Sequence, residues 1–235
     1  LERLHADLVI RTETDPAAAI AEADRGILCV KPKDLPELGP KLAGALGETP
    51  VISLLAGTPI QRLELHLGPA RIIRAMTNTS VLIGEGMTAL CRHPRVSDAE
   101  FDAVTQLFAG CGKVVALEEI QFDAFTAIAG SLPAYLYLFI EHLIAASVLE
   151  GFSADKATEY VSQTCYGAIG MLQHSGKDPA TLWQQVCSPG GTTIEAIGAE
   201  ASYGANARAR DTREVVAKLA VEHDDQAAFD VFLRE

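Results

Sequence analysis

The first part of the chain alternates short apolar runs with longer amphipathic runs. The apolar runs are predicted to be strands, at residues 8–11, 27–30, 51–55 and 71–75, and the amphipathic runs are predicted to be helices, at residues 15–23, 33–46 and 59–67. Strands that alternate with helices across short turns are typical of βαβ units, so the pattern predicts an α/β fold with a mostly parallel sheet. Ligands bind outside the carboxyl ends of such strands. The turns after Val30, Leu55 and Ala75 are therefore predicted to line one crevice.

The stretch before the first predicted strand is short. A dinucleotide-binding fold opens with a strand and a Gly-x-Gly-x-x-Gly turn, and nothing upstream of Leu8 could supply them. We therefore expect the first βα unit to be missing from this sequence, which predicts weak dinucleotide binding and an exposed edge beside the first strand. Residues 81–89 hold a strand-like run with a Gly-x-Gly-x-x-Ala pattern. Because Pro94 would cut a following helix short, we expect a turn at the edge of the sheet there.

Two helix starts carry the spacing of a capping box. These are Thr58 with Gln61 and Ser97 with Glu100. The second box opens a helix that is predicted to run to about residue 109, and a last strand is expected at residues 113–117.

Beyond residue 117 the pattern is helical. Helices are predicted near residues 120–129, 133–150, 154–175, 179–186, 192–202, 206–222 and 225–234. The chain is thus predicted to form an α/β domain at residues 1–117 and an all-helical domain at residues 118–235. The helix at residues 133–150 is apolar nearly all round, which a helical domain of this size could not easily cover. We expect it to be buried against a second chain, with a central helix wrapped by its own domain as the alternative.

Composition and charge argue against several classes of partner. With 235 residues, 49% of them hydrophobic, the chain is long enough for one large or two small domains. A net charge of −12 and a pI near 4.9, with no basic cluster, argue against nucleic acid and anionic membranes. The most apolar run, residues 136–149, contains Glu141 and His142 and is shorter than the roughly 18–20 residues of a membrane span, so we interpret it as a buried helix. No signal peptide is visible.

The cysteines and histidines indicate neither disulfides nor a metal site. The 5 cysteines are scattered and form no CxxC pair, which fits a reducing cytoplasm. None of the 6 histidines has HExxH or i,i+4 spacing, so no metal is expected.

Residues 187–195, Cys-Ser-Pro-Gly-Gly-Thr-Thr-Ile-Glu, have the composition of an anion-binding turn. The proline fixes one φ angle, the two glycines let backbone amides point at angles that a side chain would obstruct, and the following helix start adds unpaired N–H groups. A carboxylate or a phosphate would fit this turn. An ordinary interhelical turn capped by Thr192 or Thr193 is the alternative.

This turn resembles the Ser-Pro-Gly-Gly-Thr-Thr signature of the pyrroline-5-carboxylate reductases, which catalyse the last step of proline synthesis. Three other stretches resemble motifs of that family, Arg74-Ala75-Met76-Thr77-Asn78-Thr79, Gly84-Glu85-Gly86-Met87-Thr88-Ala89 and Ala129-Gly130-Ser131-Leu132-Pro133-Ala134-Tyr135. The resemblance implies a Rossmann-like, mostly parallel sheet that lacks its first βα unit, followed by an all-helical dimerisation domain. It also implies a homodimer or a higher oligomer of dimers, with the active site near the subunit boundary.

The resemblance further implies an activity and the residues that carry it. The activity is hydride transfer from NADPH or NADH to the C=N carbon of 1-pyrroline-5-carboxylate, which gives L-proline. The substrate would be held by Glu119, Ser188, Gly191, Thr192 and Thr193, with the Thr193 hydroxyl nearest the imine nitrogen as the catalytic group. The nicotinamide half of the cofactor would be lined by Val30, Lys31, Pro32, Ala56, Gly57, Met76 and Asn78.

Several of these residues leave alternatives open. Glu119 is also explained as an acid in a first helical turn, Lys31 as a surface cation and Met76 as a packing residue. Leu132 stands where the family has a glycine, and Pro16 where many members have an asparagine that touches the cofactor. Together with the missing first βα unit, these departures are the evidence for a second hypothesis, a non-catalytic dimerising scaffold that has lost nucleotide binding. Against it, the loop at residues 188–194 has every expected residue type. A dehydrogenase of another imino or hydroxy acid is a third hypothesis, which rests on fold analogy alone.

Overall fold

The computed structural model describes residues 10–187. Contacts divide these residues into two compact units, with the boundary between Leu132 and Pro133. The first unit holds the sheet, and the second is helical. The division predicted between residues 117 and 118 separates domains by their function, and it stays a prediction.

The first unit is an α/β structure. Its strands are β1 (Gly26–Leu28), β2 (Val51–Ser53), β3 (Ile72–Met76), β4 (Gly86–Arg92) and β5 (Gly112–Ala116). Its α-helices are α1 (Pro16–Ala21), α2 (Leu35–Ala43), α3 (Ile60–Leu67), α4 (Asp98–Ala109) and α5 (Phe122–Phe125). Short 3₁₀ helices lie at Pro32–Asp34, Thr79–Ile83 and Glu119–Gln121, and a π-helical turn, Thr126–Gly130, continues α5. The helices and strands predicted between residues 15 and 75 are all present.

The sheet has the strand order β1-β2-β3-β4-β5. Strands β1, β2 and β3 are parallel, with Leu28 opposite Ser53 and Ser53 opposite Arg74. Strand β4 is antiparallel to β3, with Ala75 opposite Leu90, and β5 is parallel to β4. This confirms the predicted mostly parallel sheet followed by a helical region. Because β1, β2 and β3 are parallel neighbours, the segments that follow them leave the sheet along one edge.

The prediction of a turn at the edge of the sheet for residues 81–89 is confirmed for residues 81–85 and is wrong for residues 86–89, which lie in a strand inside the sheet. Gly84 adopts a left-handed conformation with φ of 74°, and β4 then begins at Gly86 and pairs with both β3 and β5. Gly112, opposite Gly86, has φ of 139°. A Cβ added to Gly86 would collide with the backbone just before Gly112, and a Cβ added to Gly112 would collide with the backbone of Gly86. The two glycines thus permit a close strand approach that the hydrophobic pattern does not reveal.

One of the two predicted capping boxes is present. The Ser97 hydroxyl accepts a hydrogen bond from the Glu100 amide at 3.3 Å, and the Ser97 amide donates to Glu100 Oε2 at 2.8 Å, which confirms the box at the start of α4. The box of Thr58 with Gln61 is wrong, because the Thr58 hydroxyl donates to the backbone carbonyl two residues earlier. The N-cap of α3 is Pro59, which has no side-chain acceptor.

The predicted strand at residues 8–11 is not present in its described part. Ile10 and Arg11 are not in a strand, and Arg11 forms an ion pair of 2.7 Å with Glu22 at the end of α1. Residues 8 and 9 lie outside the described residues, as do the helices predicted at residues 192–202, 206–222 and 225–234.

Two hydrophobic clusters cover the two faces of the sheet. On β2, Val51 belongs to one cluster and Ile52 to the other, and on β3 Ile72 and Ile73 divide in the same way. Successive strand residues point to opposite faces, so the central strands are buried on both sides. The first cluster takes in Leu35 and Leu42 of α2 and Leu63 and Leu67 of α3, and the second takes in Val104 of α4. Since burying a leucine stabilises a fold by about 1.5–3 kcal/mol, these contacts hold the helices against the sheet.

The second unit consists of helices in its described part. They are α6 (Leu132–Leu149), α7 (Ala154–His174) and α8 (Pro179–Val186), close to the bounds predicted from the sequence. In the described part of the chain helix α6 has no buried residue, and both its burial against a second chain and the alternative of a central helix wrapped by its own domain stay predictions. Tyr137, Leu138 and Phe139 are 62%, 54% and 52% exposed, so the described part of the chain leaves much of the apolar surface of α6 uncovered.

Among the described residues, one helical stretch, Glu119–Leu149, is long and apolar enough to cross a membrane by length and composition alone. A helix that other helices cover in a soluble assembly has the same composition. The prediction that no membrane is involved stays a prediction.

Candidate functional site

The residues predicted to line the nicotinamide half of a cofactor follow the carboxyl ends of three adjacent parallel strands. Val30, Lys31 and Pro32 follow β1, Ala56 and Gly57 follow β2, and Met76 and Asn78 lie at the end of β3. Val30 and Lys31 are exposed and the other five are partly exposed. The structure thus brings all seven to one edge of the sheet, where a ligand can reach them.

The turn after β1 presents a lysine to this edge. Lys31 is the N-cap of the short 3₁₀ helix that begins at Pro32. Its side chain is exposed, and its ammonium has no ion-pair partner among residues 10–187. A cation in that position is free to meet an anionic group of a ligand.

The turn after β2 depends on a glycine. Gly57 has φ of 60°, a left-handed conformation that residues with a side chain adopt at a cost. The neighbouring Thr58 is fully buried. The chain therefore turns sharply between β2 and α3 and leaves little side-chain bulk at the sheet edge.

The loop after β3 is held by its own side chains. Asn78 Oδ1 accepts from the Ser80 amide at 3.1 Å, and Asn78 Nδ2 donates to the Ala129 carbonyl oxygen at 3.0 Å. The hydroxyls of Thr77 and Thr88 lie 2.8 Å apart. The polar atoms of Asn78 therefore fix the loop against the π-helical turn, and its contact with a cofactor stays a prediction.

The π-helical turn meets the same loop at a glycine. A Cβ built on Gly130 would lie 2.7 Å from Met76 Cε and 3.5 Å from Thr126 Cγ2. Met76 thus packs where the side chain of any other residue at position 130 would lie. Turns of π-helix occur often at functional sites, and this one shapes the surroundings of Met76.

Glu119 has partners in two distant segments. Its Oε1 accepts from the Ile60 amide at 2.7 Å and from Arg74 Nη1 at 3.2 Å. Arg74 is 4% exposed, also lies 3.6 Å from an Asp123 carboxylate oxygen, and stacks over the Phe122 ring at 4.7 Å. The sequence motif contained Arg74 but gave it no role, because its partners are distant in sequence.

Glu119 also lines a cleft of about 540 Å³ together with Gln61, His93 and Phe101. None of the seven predicted cofactor-side residues lines this cleft. Substrate contact by Glu119 stays a prediction.

Cys91 lies in the same region and is chemically inert. Burial, with a smaller effect of the nearby Glu119 carboxylate, raises the pKa of the Cys91 thiol to about 12. Because the thiolate is the nucleophilic form, this cysteine does not act as a nucleophile at neutral pH.

The proposed substrate loop lies outside the described residues. This applies to Ser188, Gly191, Thr192 and Thr193, whose roles stay predictions. The two departures from the family pattern are described. Pro16 is the first residue of α1, whose cap Asp15 accepts a hydrogen bond from the Ala17 amide at 3.1 Å. Leu132 is the first residue of α6 and is 52% exposed.

The fold and the arrangement of the strand-end turns define a Rossmann-like α/β protein with a helical region after the sheet. Comparison with known proteins gives the family. A family model described as pyrroline-5-carboxylate reductase dimerisation matches residues 119–220. Pyrroline-5-carboxylate reductases from Aquifex aeolicus, Synechocystis and Pseudomonas aeruginosa are 39%, 35% and 35% identical over 176, 188 and 213 residues. These alignments cover 74%, 80% and 89% of this chain and 66%, 70% and 78% of the relatives.

Solved structures agree with the sequence relatives. The pyrroline carboxylate reductase of Plasmodium falciparum with NADP bound has a TM-score of 0.85 at 28% identity, covering 95% of this chain and 84% of that one. The 1-pyrroline-5-carboxylate reductase of Streptococcus pyogenes has a TM-score of 0.85 at 31% identity, covering 94% and 84%. The chain belongs to the pyrroline-5-carboxylate reductase family.

Proposed function

We propose that this protein reduces 1-pyrroline-5-carboxylate to L-proline with NADPH or NADH. In this reaction the C=N bond becomes a C–N single bond: the carbon would take a hydride that the reduced nicotinamide cofactor supplies, and the ring nitrogen would take its protons from water. The observation that carries this proposal is the similarity to named pyrroline-5-carboxylate reductases, which extends over 89% of the chain for the Pseudomonas aeruginosa relative.

The sheet edge fits a nicotinamide cofactor. Apolar side chains of Val30 and Met76 can pack against a flat ring, and Gly57 leaves room for close approach of the backbone. Lys31, which has no ion-pair partner among the described residues, can meet an anionic part of the cofactor. When bound, the cofactor supplies the hydride, and the protein residues bind it, orient it and limit access of water.

For the substrate we propose the turn that contains Ser188, Gly191, Thr192 and Thr193. Backbone amides beside glycine bind a carboxylate well, and the Thr193 hydroxyl would favour charge on the imine nitrogen. Glu119 is proposed to reach the substrate only through Oε2, because Oε1 already accepts from Ile60 and Arg74.

We propose that the protein works in the cytoplasm as a homodimer or a higher oligomer of dimers. The match to a dimerisation family supports self-association, and the exposed apolar side chains of α6 provide a surface for it. All five cysteines lie in the described part of the chain and are free, which supports a reducing compartment. The net charge of −12 supports a small-molecule substrate over nucleic acid or an anionic membrane.

The test is a spectrophotometric assay of the purified protein with 1-pyrroline-5-carboxylate and each nicotinamide cofactor. We expect oxidation of the reduced cofactor that depends on the substrate, with proline as the product, at cofactor concentrations high enough to offset the weak dinucleotide binding that the sequence predicts. A folded protein that binds proline and shows no turnover with either cofactor would instead support the non-catalytic scaffold.

A further inference from the structure

Arg74 is a buried cation whose guanidinium contacts two carboxylates and an aromatic ring. It lies within β3, it is 4% exposed, and its guanidinium meets the Glu119 and Asp123 carboxylates at 3.2 and 3.6 Å. The Phe122 ring lies under it at 4.7 Å. A buried charge is strongly unfavourable without such partners, so these contacts fix where Arg74 can lie.

Glu119 extends this network to a third segment. The oxygen that accepts from Arg74 also accepts from the Ile60 amide at 2.7 Å, across 59 positions of sequence. The first amides of a helix have no acceptor within the helix, and Pro59 supplies none. Glu119 therefore provides the cap that α3 lacks in its own sequence.

Each segment of this network leads directly to proposed cofactor-side residues. Gly57 precedes Ile60 by three positions, and Met76 follows Arg74 by two. Asn78 donates at 3.0 Å to a carbonyl oxygen of the π-helical turn that continues α5. A shift of the ion pair would thus move the turn after β2 relative to the loop after β3.

We propose that Arg74 and Glu119 are positioning residues that fix the Gly57 turn relative to the Met76–Asn78 loop, and that this sets the orientation of the nicotinamide ring. This inference rests on the proposed function. Arg74 is buried, and Glu119 lines a cleft that none of the proposed cofactor-side residues shares. The pair therefore acts through the two turns rather than by touching the cofactor.

Hydrogen exchange followed by mass spectrometry tests the positioning directly. Arg74→Met keeps most of the side-chain length and removes the charge. We expect amide exchange in residues 54–60 and 76–80 to become about tenfold faster or more, because opening of these turns becomes easier. Glu119→Gln keeps an acceptor for Ile60, so we expect a smaller increase.

Arg71→Met is the matched control. Arg71 immediately precedes β3 and pairs at 2.7 Å with Glu100 on α4, so its loss also breaks a contact between the sheet and a helix. We expect faster exchange near residues 97–100 and no change in residues 54–60. Equal acceleration of residues 54–60 by both variants would show a general loss of stability and would overturn the proposal.

Steady-state kinetics test the consequence for catalysis. A misplacement near 1 Å can lower a rate by about 100-fold, so Arg74→Met should lower kcat by at least tenfold with little change in the KM for the imine. Arg74→Lys should retain part of the activity, and it replaces Arg74→Met if that variant does not fold. A folded Arg74→Met with normal exchange and normal kcat would refute the inference. If the wild-type protein has no reductase activity, the proposed function fails, while the exchange comparison still decides the positioning role.

Discussion

Two residues of the proposed site, Asn78 and Glu119, form hydrogen bonds to other parts of the protein through their polar side-chain atoms. Asn78 bonds to the Ser80 amide and to the Ala129 carbonyl, and Glu119 bonds to the Ile60 amide. Side chains held in this way have lost their freedom before a ligand arrives, which lowers the entropic cost of binding. At this edge of the sheet, side chains can therefore shape a ligand site without contributing a direct contact.

Replacing Thr193 with valine tests the one side chain proposed to act on the imine. The substitution keeps the volume and removes the hydroxyl. We expect kcat to fall by about 30- to 1,000-fold, which corresponds to about 2–4 kcal/mol for one hydrogen bond to developing charge. Cofactor affinity should change much less. Thr105→Val, on α4 with its hydroxyl donating to the Phe101 carbonyl at 2.9 Å, is the control and should leave kcat unchanged. An unchanged kcat for Thr193→Val would remove this hydroxyl from the mechanism.

Glu100 predicts a specific dependence of stability on pH. Hydrogen bonds from the Ser97 hydroxyl and amide, with a further contribution from Arg71, lower the pKa of Glu100 to about 2 in the folded protein. The unfolded value is about 4.3. A lowered folded pKa gives stability that is fully present above the unfolded pKa and is lost as the pH falls through the folded one.

We therefore expect Glu100→Gln to reduce the free energy of unfolding at pH 7, with a smaller difference from wild type at pH 3. Glutamine retains an acceptor for the capping box, so the variant isolates the charge. Urea unfolding at both pH values measures the two differences. The same difference at pH 7 and pH 3 would contradict the assigned pKa.

The hydrophobic pattern was sufficient to predict the helices and strands that bury their own apolar side chains. Strands β1, β2 and β3 and helices α2 and α3 were predicted for this reason. Strand β4 was missed because Gly84 and Gly86 have the composition of a turn, and only the approach of β5 shows why glycine is needed.

The contacts of Arg74 could not have been predicted from the chain alone. Arg74 and Glu119 are 45 positions apart, and Ile60 and Glu119 are 59 apart, so their contact depends on the packing of separate elements. The turns at the sheet edge were predictable, because strand order and chain direction determine where strand ends lie. The polar atoms that those turns leave free for a ligand were not predictable. The side-chain amide of Asn78, for example, donates to a carbonyl oxygen 51 positions away.

Gly130→Ala tests whether the π-helical turn controls the position of Met76. The new Cβ would lie 2.7 Å from Met76 Cε, so the end of that side chain must move. Alanine is favoured over glycine in a helix by about 1 kcal/mol, and this gain offsets part of the crowding. We therefore expect a small change in Tm together with a several-fold increase in the KM for the nicotinamide cofactor.

Gly44→Ala is the control for that substitution. Gly44 ends α2 with φ of −77°, and a Cβ there would have no neighbour within 4 Å among residues 10–187. This variant should be as stable as wild type or slightly more stable, with an unchanged KM. If Gly130→Ala also left the KM for the cofactor unchanged, the π-helical turn would not control the position of Met76.

In the molecule as a whole, the two units differ in how far they bury their apolar side chains. The first unit buries both faces of its sheet, with Leu35, Leu63 and Val104 fully buried. The second leaves large apolar side chains exposed on its helices, among them Tyr137, Leu138, Phe139, Tyr166 and Trp183. Exposed apolar surface of this kind marks an interaction site, and the match of residues 119–220 to a dimerisation family supports a second copy of the chain as the partner.

An acidic substitution on α6 tests this surface. Leu138→Asp or Phe139→Asp would place an unpaired carboxylate in the proposed interface, at a cost of several kcal/mol. We expect light scattering to show a monomer or aggregates in place of the wild-type oligomer. Leu65→Asp is the matched control, because Leu65 is 80% exposed on α3 of the first unit and the substitution makes the same chemical change. It should leave the oligomer intact. A wild-type protein that is a stable monomer would refute self-association through α6, and the apolar surface of that helix would then need a different partner.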